Sequence, residues 1–157
     1  MKATTDEIKH VLHLLAETSH RFSAIGENLN NAQLQHKPDA KSWSANEILA
    51  HLRACADVWG DMIEAMLTQD KPTLRHLSPR TYIRKTDYAQ QNFHDSLSAF
   101  GEQRSHLLDK LSKLELADWS RAAMIKERQH IVFTQARRMA LHEVTHCEQI
   151  EALVANL

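Results

Sequence analysis

Ser42-Trp43-Ser44-Ala45-Asn46-Glu47-Ile48-Leu49-Ala50-His51-Leu52 reads as the opening of a long helix. Ser44 is a good N-cap, because its hydroxyl can accept from a free backbone N–H of the first turn. Glu47 stands three residues on and completes a capping box, and Trp43 with Ile48 fill the two positions of a hydrophobic staple. Beyond the cap, Ile48, Leu52, Cys55, Trp59, Met62, Ile63 and Met66 recur at helical spacing and form a stripe that asks to be buried. The spacing predicts a helix from Ala45 to about Gln69, with His51 two turns in, close to that stripe.

Three further segments share this period. A first helix is expected from about Thr5 to Asn30, with Thr4 and Glu7 as a capping box and Ile8, Val11, Leu12, Leu15, Phe22, Ile25 and Leu29 as its stripe. His10, His13 and His20 lie roughly opposite and face solvent. A polar connection, Asn31 to Trp43, contains Pro38. After the second helix, the loop from Asp70 to Lys85 contains Pro72 and Pro79 and is rich in Arg. Thr86 or Asp87 opens a third helix to about Leu116, striped by Phe93, Leu97, Phe100, Leu107, Leu108, Leu111 and Leu114. A weakly patterned stretch, Asp118 to Phe133, follows, and its Ile131-Val132-Phe133 reads as a short extended piece or a tethered loop. Thr134 caps a fourth helix to about Val154, with Met139, Ile150 and Leu153 on its stripe and Val144 at the edge. Gly26, Gly60 and Gly101 fall inside predicted helices, at about 1 kcal/mol each relative to Ala. Either close packing offsets that, or the helices are interrupted there.

At 157 residues the chain is expected to form one domain over 1–157, long enough for a core. Three Gly and three Pro are few, and all three prolines fall in proposed connections, which favours an all-helical protein. A net charge of −1 offers no nucleic-acid footprint. Arg75, Arg80, Arg84 and Lys85, and the pair Arg137 and Arg138, read as solvated loop and helix-end charges. No apolar run approaches the ~20 residues of a membrane span. The polar start Met1-Lys2-Ala3-Thr4-Thr5-Asp6-Glu7 has no signal-peptide core, and Cys55 with Cys147 make no disulfide framework. A reduced cytoplasmic protein is expected, with no nucleic-acid or membrane partner. A homodimer is a further expectation, since bundles of this size often bury a helix face that way.

Near the C-terminus stands His142-Glu143-Val144-Thr145-His146. Two histidines four residues apart on a helix lie about 6 Å apart along the axis, offset by roughly 40° around it. Their imidazoles can therefore converge on one metal ion, with nitrogen–metal bonds of roughly 2.0–2.1 Å. The string also matches the zinc-protease pattern H-E-x-x-H, in which the Glu is the general base. The extended form of that pattern asks for Gly at 149 and His at 152, where this chain has Gln149 and Ala152. Glu151 lies on the same helix, too near in sequence to fold back. A third ligand must come from upstream, where His51 is the best candidate. Nor does the sequence show a strand to pair an extended peptide.

Trp43-Ser44-x-x-Glu47-Ile48-Leu49-x-His51-Leu52, followed by His142-Glu143-x-x-His146-x-x-Gln149-Ile150, resembles the DinB-like (DinB/YfiT-like) family of candidate metalloenzymes. The resemblance covers nearly the whole chain, in length and in order of elements. It implies an all-α four-helix bundle, with a divalent metal held by one histidine of the second helix and two of the fourth. Carried onto this sequence, the ligands are His51, His142 and His146. The family includes thiol-dependent transferases and isomerases and hydrolases, so the resemblance implies a metal-dependent reaction on a small-molecule substrate. In such proteins the Glu after the first histidine, here Glu143, often accompanies the pair without being a proven protease base.

Three neutral nitrogen ligands leave an open position for water or substrate. A water held there is acidified toward neutrality, and a thiol is deprotonated. Imidazoles suit Zn, Ni, Cu or Fe, with Zn or Ni expected first and a low-molecular-weight thiol as a possible second cofactor. Cys55, one turn beyond His51, is either a fourth ligand or, as small cysteines beside apolar stripes more often are, core. Cys147 lies about 100° around the helix from its ligand neighbour and reads as packing. Glu143 is a candidate catalytic base, a partner orienting a histidine, a surface acid or an ion-pair partner. Trp59, Met62, Met66 and Met139 are core or pocket wall, and Tyr82, Tyr88 and the Arg-rich loop are candidates to gate a pocket. Two alternatives stand beside the enzyme reading. One is a non-catalytic stress or interaction bundle with a structural metal or none. The other, less favoured, is a zincin-type peptidase.

Overall fold

The computed structural model describes residues 2–157. In chain order its regular elements are α1 (Thr5–Glu27), α2 (Asn31–Gln35), α3 (Ala45–Thr68), β1 (Thr73–Leu74), α4 (Pro79–Tyr82), α5 (Phe93–Ser112), β2 (Ala122–Ile125), β3 (Arg128–Ile131) and α6 (Val132–Ala155). The long helices α1, α3, α5 and α6 make a four-helix bundle. No helix among the described residues is long and apolar enough to cross a membrane.

Helix starts follow the chemistry of their caps. The Thr4 hydroxyl accepts from the Glu7 N–H at 3.2 Å, and the Glu7 carboxylate accepts from the Thr4 N–H at 2.8 Å. Ser44 and Glu47 repeat the box at the head of α3, at 3.1 and 2.8 Å. The third long helix starts later than its spacing predicts. Residues 83–85 and 88–90 form separate 3₁₀ turns, and Asn92 caps α5 by accepting from the Asp95 N–H at 2.9 Å. This helix also stops at Ser112, short of Leu116. The fourth begins at Val132, two residues before the expected cap. Thr134 sits inside the first turn, its hydroxyl accepting from the Ile131 N–H at 3.2 Å. The first helix ends at Glu27, and the connection after it contains α2, capped by Asn30.

The expectation of no strand able to pair an extended peptide is corrected, and of the stretch Ile131-Val132-Phe133 only Ile131 is extended, as the end of β3, while Val132 opens α6. β2 and β3 form an antiparallel hairpin, β1 pairs in parallel with β2, and the order is β1-β2-β3. Strands of two to four residues are too short for a period-2 pattern to be read from sequence. All three glycines lie in uninterrupted helices. A Cβ at residue 26 would meet the Phe93 ring at 3.1 Å, so Gly26 marks close packing of α1 on α5. Gly60 has Gln103 at 3.1 Å, and no neighbour explains Gly101.

Helix α1 packs on α5 and α6, and α3 packs on the same two. Thus α1 faces α3 across one diagonal and α5 faces α6 across the other. The connections from α1 to α3 and from α5 to α6 join diagonal partners, unlike an up-down bundle whose short loops join neighbours. Two apolar clusters fill the interior. Leu15, Trp59, Ile63 and Leu111 belong to one, Phe22, Ile48, Phe93 and Ile150 to the other. Between the residues that α1, α5 and α6 give to each cluster stand Thr18, Arg104 and Glu143, all buried. Arg104 grips both carboxylate oxygens of Glu143, with Nη1 to Oε2 at 2.7 Å, and Nη1 also donates to the Leu15 carbonyl at 2.9 Å. The Thr18 hydroxyl donates to the same carboxylate at 3.0 Å.

Candidate metal centre

The capping box of α3 sets where His51 comes round to the inside of the bundle, and the four-residue spacing on α6 stacks His142 and His146 one turn apart. Because α3 and α6 are neighbours, the three rings meet. One ligating atom of each lies within 4.8 Å of the others. The ring centroid of His51 is 5.3 Å from that of His142 and 5.2 Å from that of His146. Nε2 of His142 faces Nε2 of His146 at 3.2 Å.

Burial first, then the positive fields of His146 and Arg80, pushes His51 down to about 4. Burial, followed by His146, His51 and Arg138, pushes His142 down to about 4 as well. Both imidazoles are therefore neutral near neutral pH, the state in which they can ligate. His146 Nδ1 lies 2.8 Å from the amide oxygen of Gln149, which can only accept, so Nδ1 carries the proton and the Nε2 lone pair is turned inward. Nδ1 of His142 is buried with no hydrogen-bond partner. Two rings held neutral by burial and a third whose Nε2 is turned toward them crowd their ring nitrogens together, a donor set suited to a cation.

Two tryptophans flank the site. Trp43 lies 5.0 Å from the His51 ring and 6.5 Å, stacked, from His146, and Trp59 lies 5.0 Å from His142. Each carries an arginine. Arg80 is 5.7 Å from the Trp43 ring, and Arg138 is 4.7 Å from that of Trp59.

The other candidates are placed differently. Cys55 Sγ is 3.5 Å from Nε2 of His51, but the group of converging ligand atoms comprises the three histidines only. Burial, with a smaller push from Glu143, raises its thiol to about 12. Cys147 is core, and burial likewise raises it to about 12. Tyr82 and Tyr88 both donate to Asp57 Oδ2, which fastens their segment to α3. Trp59 and Met62 line a cavity, while Met66 and Met139 are core. His10, His13 and His20 are exposed, as expected. Sequence reasoning missed the roles of Thr18, Arg104 and Gln149. A signal for the first two was present. Thr18 falls between Leu15 and Phe22, and Arg104 between Phe100 and Leu107, at stripe positions a surface residue does not occupy.

A family model described as the DinB superfamily matches residues 14–150. No curated protein matches the sequence. Among solved structures, YfiT from Bacillus subtilis superposes with a TM-score of 0.85 at 15% identity, over 98% of this chain and 89% of that one. It is described as a probable metal-dependent hydrolase with an unusual four-helix bundle topology. A protein from Clostridium difficile 630 gives 0.72 at 12% identity, with 96% of each chain covered. One from Streptococcus pneumoniae gives 0.64 at 12%, over 98% of this chain and 95% of that one. At such identities the likeness is one of fold.

Proposed function

This chain belongs to the DinB superfamily, and from that premise we propose a metal-dependent enzyme. It holds one divalent ion between His51, His142 and His146 and transfers a group from a small-molecule substrate to water or to a low-molecular-weight thiol. The observation that carries the reading is the convergence of three ligating atoms from two helices within 4.8 Å. The description of YfiT as a probable metal-dependent hydrolase, on the same fold, supports the hydrolytic form. Zinc or nickel is the proposed ion.

A divalent ion bound there would supply Lewis acidity beside an open position. The chain's own residues prepare that position. His51 and His142 are held neutral by burial. Gln149 holds the tautomer of His146, and Trp43 and Trp59 keep bulk water from two sides of the rings. The bonds of Glu143 to Arg104 and Thr18 support a positioning role for it, holding α6 in register so that the histidine pair faces α3.

Elemental analysis of protein purified without a His tag tests the reading. About one divalent ion per chain is expected, with His146→Ala losing most of it. Equal uptake by wild type and by a His51→Ala/His146→Ala double variant would sink the site. With cobalt in place of the native ion, a visible spectrum that moves on adding a small thiol supports the thiol branch. A spectrum unmoved by several thiols counts against the thiol branch and leaves a hydrolase or a non-catalytic bundle. No cleavage of casein or of a mixed peptide library is expected from the metal-loaded protein.

A further inference from the structure

Beside the histidine cluster, with Trp59 as the shared wall, lies a cavity of about 460 Å³. That is the size of a small-molecule site. We propose that it is an anion-recognition pocket, taking a small organic molecule that carries a carboxylate or phosphate on an apolar body.

Five basic side chains line it. His76 follows β1, Lys126 stands in the turn of the β2–β3 hairpin, Arg128 and His130 lie on β3, and Arg138 comes from α6. No acidic residue is among the lining. Lys126, Arg128 and Arg138 are exposed at the mouth of the cavity and, like most of the chain's cations, have no ion-pair partner among the described residues. Like charges gathered in a concavity raise the local potential and repel one another. His130 registers this. Burial first, then the fields of Arg138 and Arg128, holds it below its ordinary value. A ligand anion would balance that field, and Trp59, Met62 and Ile125 offer an apolar surface for the rest of the molecule.

The backbone gives a second, independent indication. Ile125 and Arg128 are paired across the hairpin, so its turn is the two residues Lys126 and Glu127. Their φ angles are 48° and 60°. Such turns favour Asn-Gly, since left-handed backbone strains any residue with a Cβ. Here the first of these positions is a lysine that lines the cavity, and strained residues of this kind cluster at ligand sites. An anion held here would share the Trp59 wall with His142, whose ring centroid is 5.0 Å from that of Trp59. That the bound molecule is also the substrate rests on the proposed function; that it binds does not.

Titration calorimetry with phenyl phosphate, phenylacetate and the uncharged phenylacetamide tests the pocket, on metal-free and on metal-loaded protein. Wild type should bind at least one of the two anions, with and without metal, and not the amide. The stronger anion identifies phosphate or carboxylate as the head group. Arg128→Gln/Arg138→Gln should weaken binding about tenfold or more, with metal content unchanged. Lys126→Gly should also weaken it, in a protein that melts no lower than wild type because the turn is relieved. Absence of saturable binding of either anion would overturn the proposal. So would equal binding of the amide, or wild-type affinity in both variants. If metal uptake fails while anion binding stands, the enzyme reading falls and the pocket remains. If metal binds and the anions do not, the pocket alone falls.

Discussion

Glu143 follows the first histidine of the pair, where a zinc protease keeps its base, and its carboxylate is bound by Arg104 and Thr18. Removing one partner of a buried ion pair leaves the other charge uncompensated in a low-dielectric interior. Glu143→Gln should therefore lower stability by about 3–5 kcal/mol in denaturant titration while the protein still takes up metal. Arg104→Met/Glu143→Met should recover most of that loss; a single variant as stable as wild type would show that the pair has no weight. Activity lost in Glu143→Gln is thus not by itself a sign of a base. His51 and His142 give the folded protein a pH dependence of defined sign. Both sit at about 4 when folded, against 6.5 for an unperturbed histidine. Below 6.5 the unfolded chain takes up protons that the folded one does not. Their contribution is complete above that value and is lost as pH falls toward 4. Metal-free wild type should melt lower at about pH 5 than at about pH 7, and His51→Ala/His142→Ala should flatten the slope between them.

Among the elements, α3 carries the most consequence from local sequence. Its capping box starts the helix at a defined residue, and that start fixes which way His51 points. Ser44→Ala should cost about 1 kcal/mol in stability. It should also weaken metal affinity, since fraying the first turns of α3 loosens His51, a proposed ligand, while leaving the α6 pair in place. Metal affinity unchanged in a measurably destabilised Ser44→Ala protein would separate the cap from the site. The late start of α5 is the counterpart. Residues 86–92 include Thr86 and Asp87, which are competent caps, but Tyr88 is drawn onto Asp57 of α3 and the chain runs as 3₁₀ turns until Asn92. Local propensity proposed the wrong cap because a tertiary contact competes with it.

For the whole molecule, a metal bound by His51 and the α6 pair would tie together two adjacent helices far apart in sequence. A ligand that binds only the folded state stabilises it by mass action, by about 2.7 kcal/mol at a hundredfold excess over its dissociation constant. Zinc or nickel should raise the melting temperature of wild type and leave that of His51→Ala/His146→Ala unchanged. An equal rise in both would place the ion elsewhere. The diagonal arrangement matters to this site. Since α3 contacts α6 and α1 does not lie between them, His51 of α3 and the histidine pair of α6 come together.

The sequence by itself determined the helical stripes, the caps at Thr4 and Ser44, the histidine pair on α6 and, with the family resemblance, the bundle and the choice of His51. These are local facts, set by hydrogen bonds and side-chain spacing within one or two turns of helix, and the resemblance supplied the one long-range pairing. Tertiary structure alone decided the rest. Arg104 meets Glu143 across the bundle, 39 residues away, and Gln91 takes Arg53 38 residues away. The short hairpin forms where its first strand, β2, can pair with β1, and its turn brings Lys126 and Arg128 beside Arg138 of α6. In the sequence Arg138 is one of many surface charges. Contacts of that range depend on the path of the connections, and a periodicity that repeats every few residues carries no record of that path.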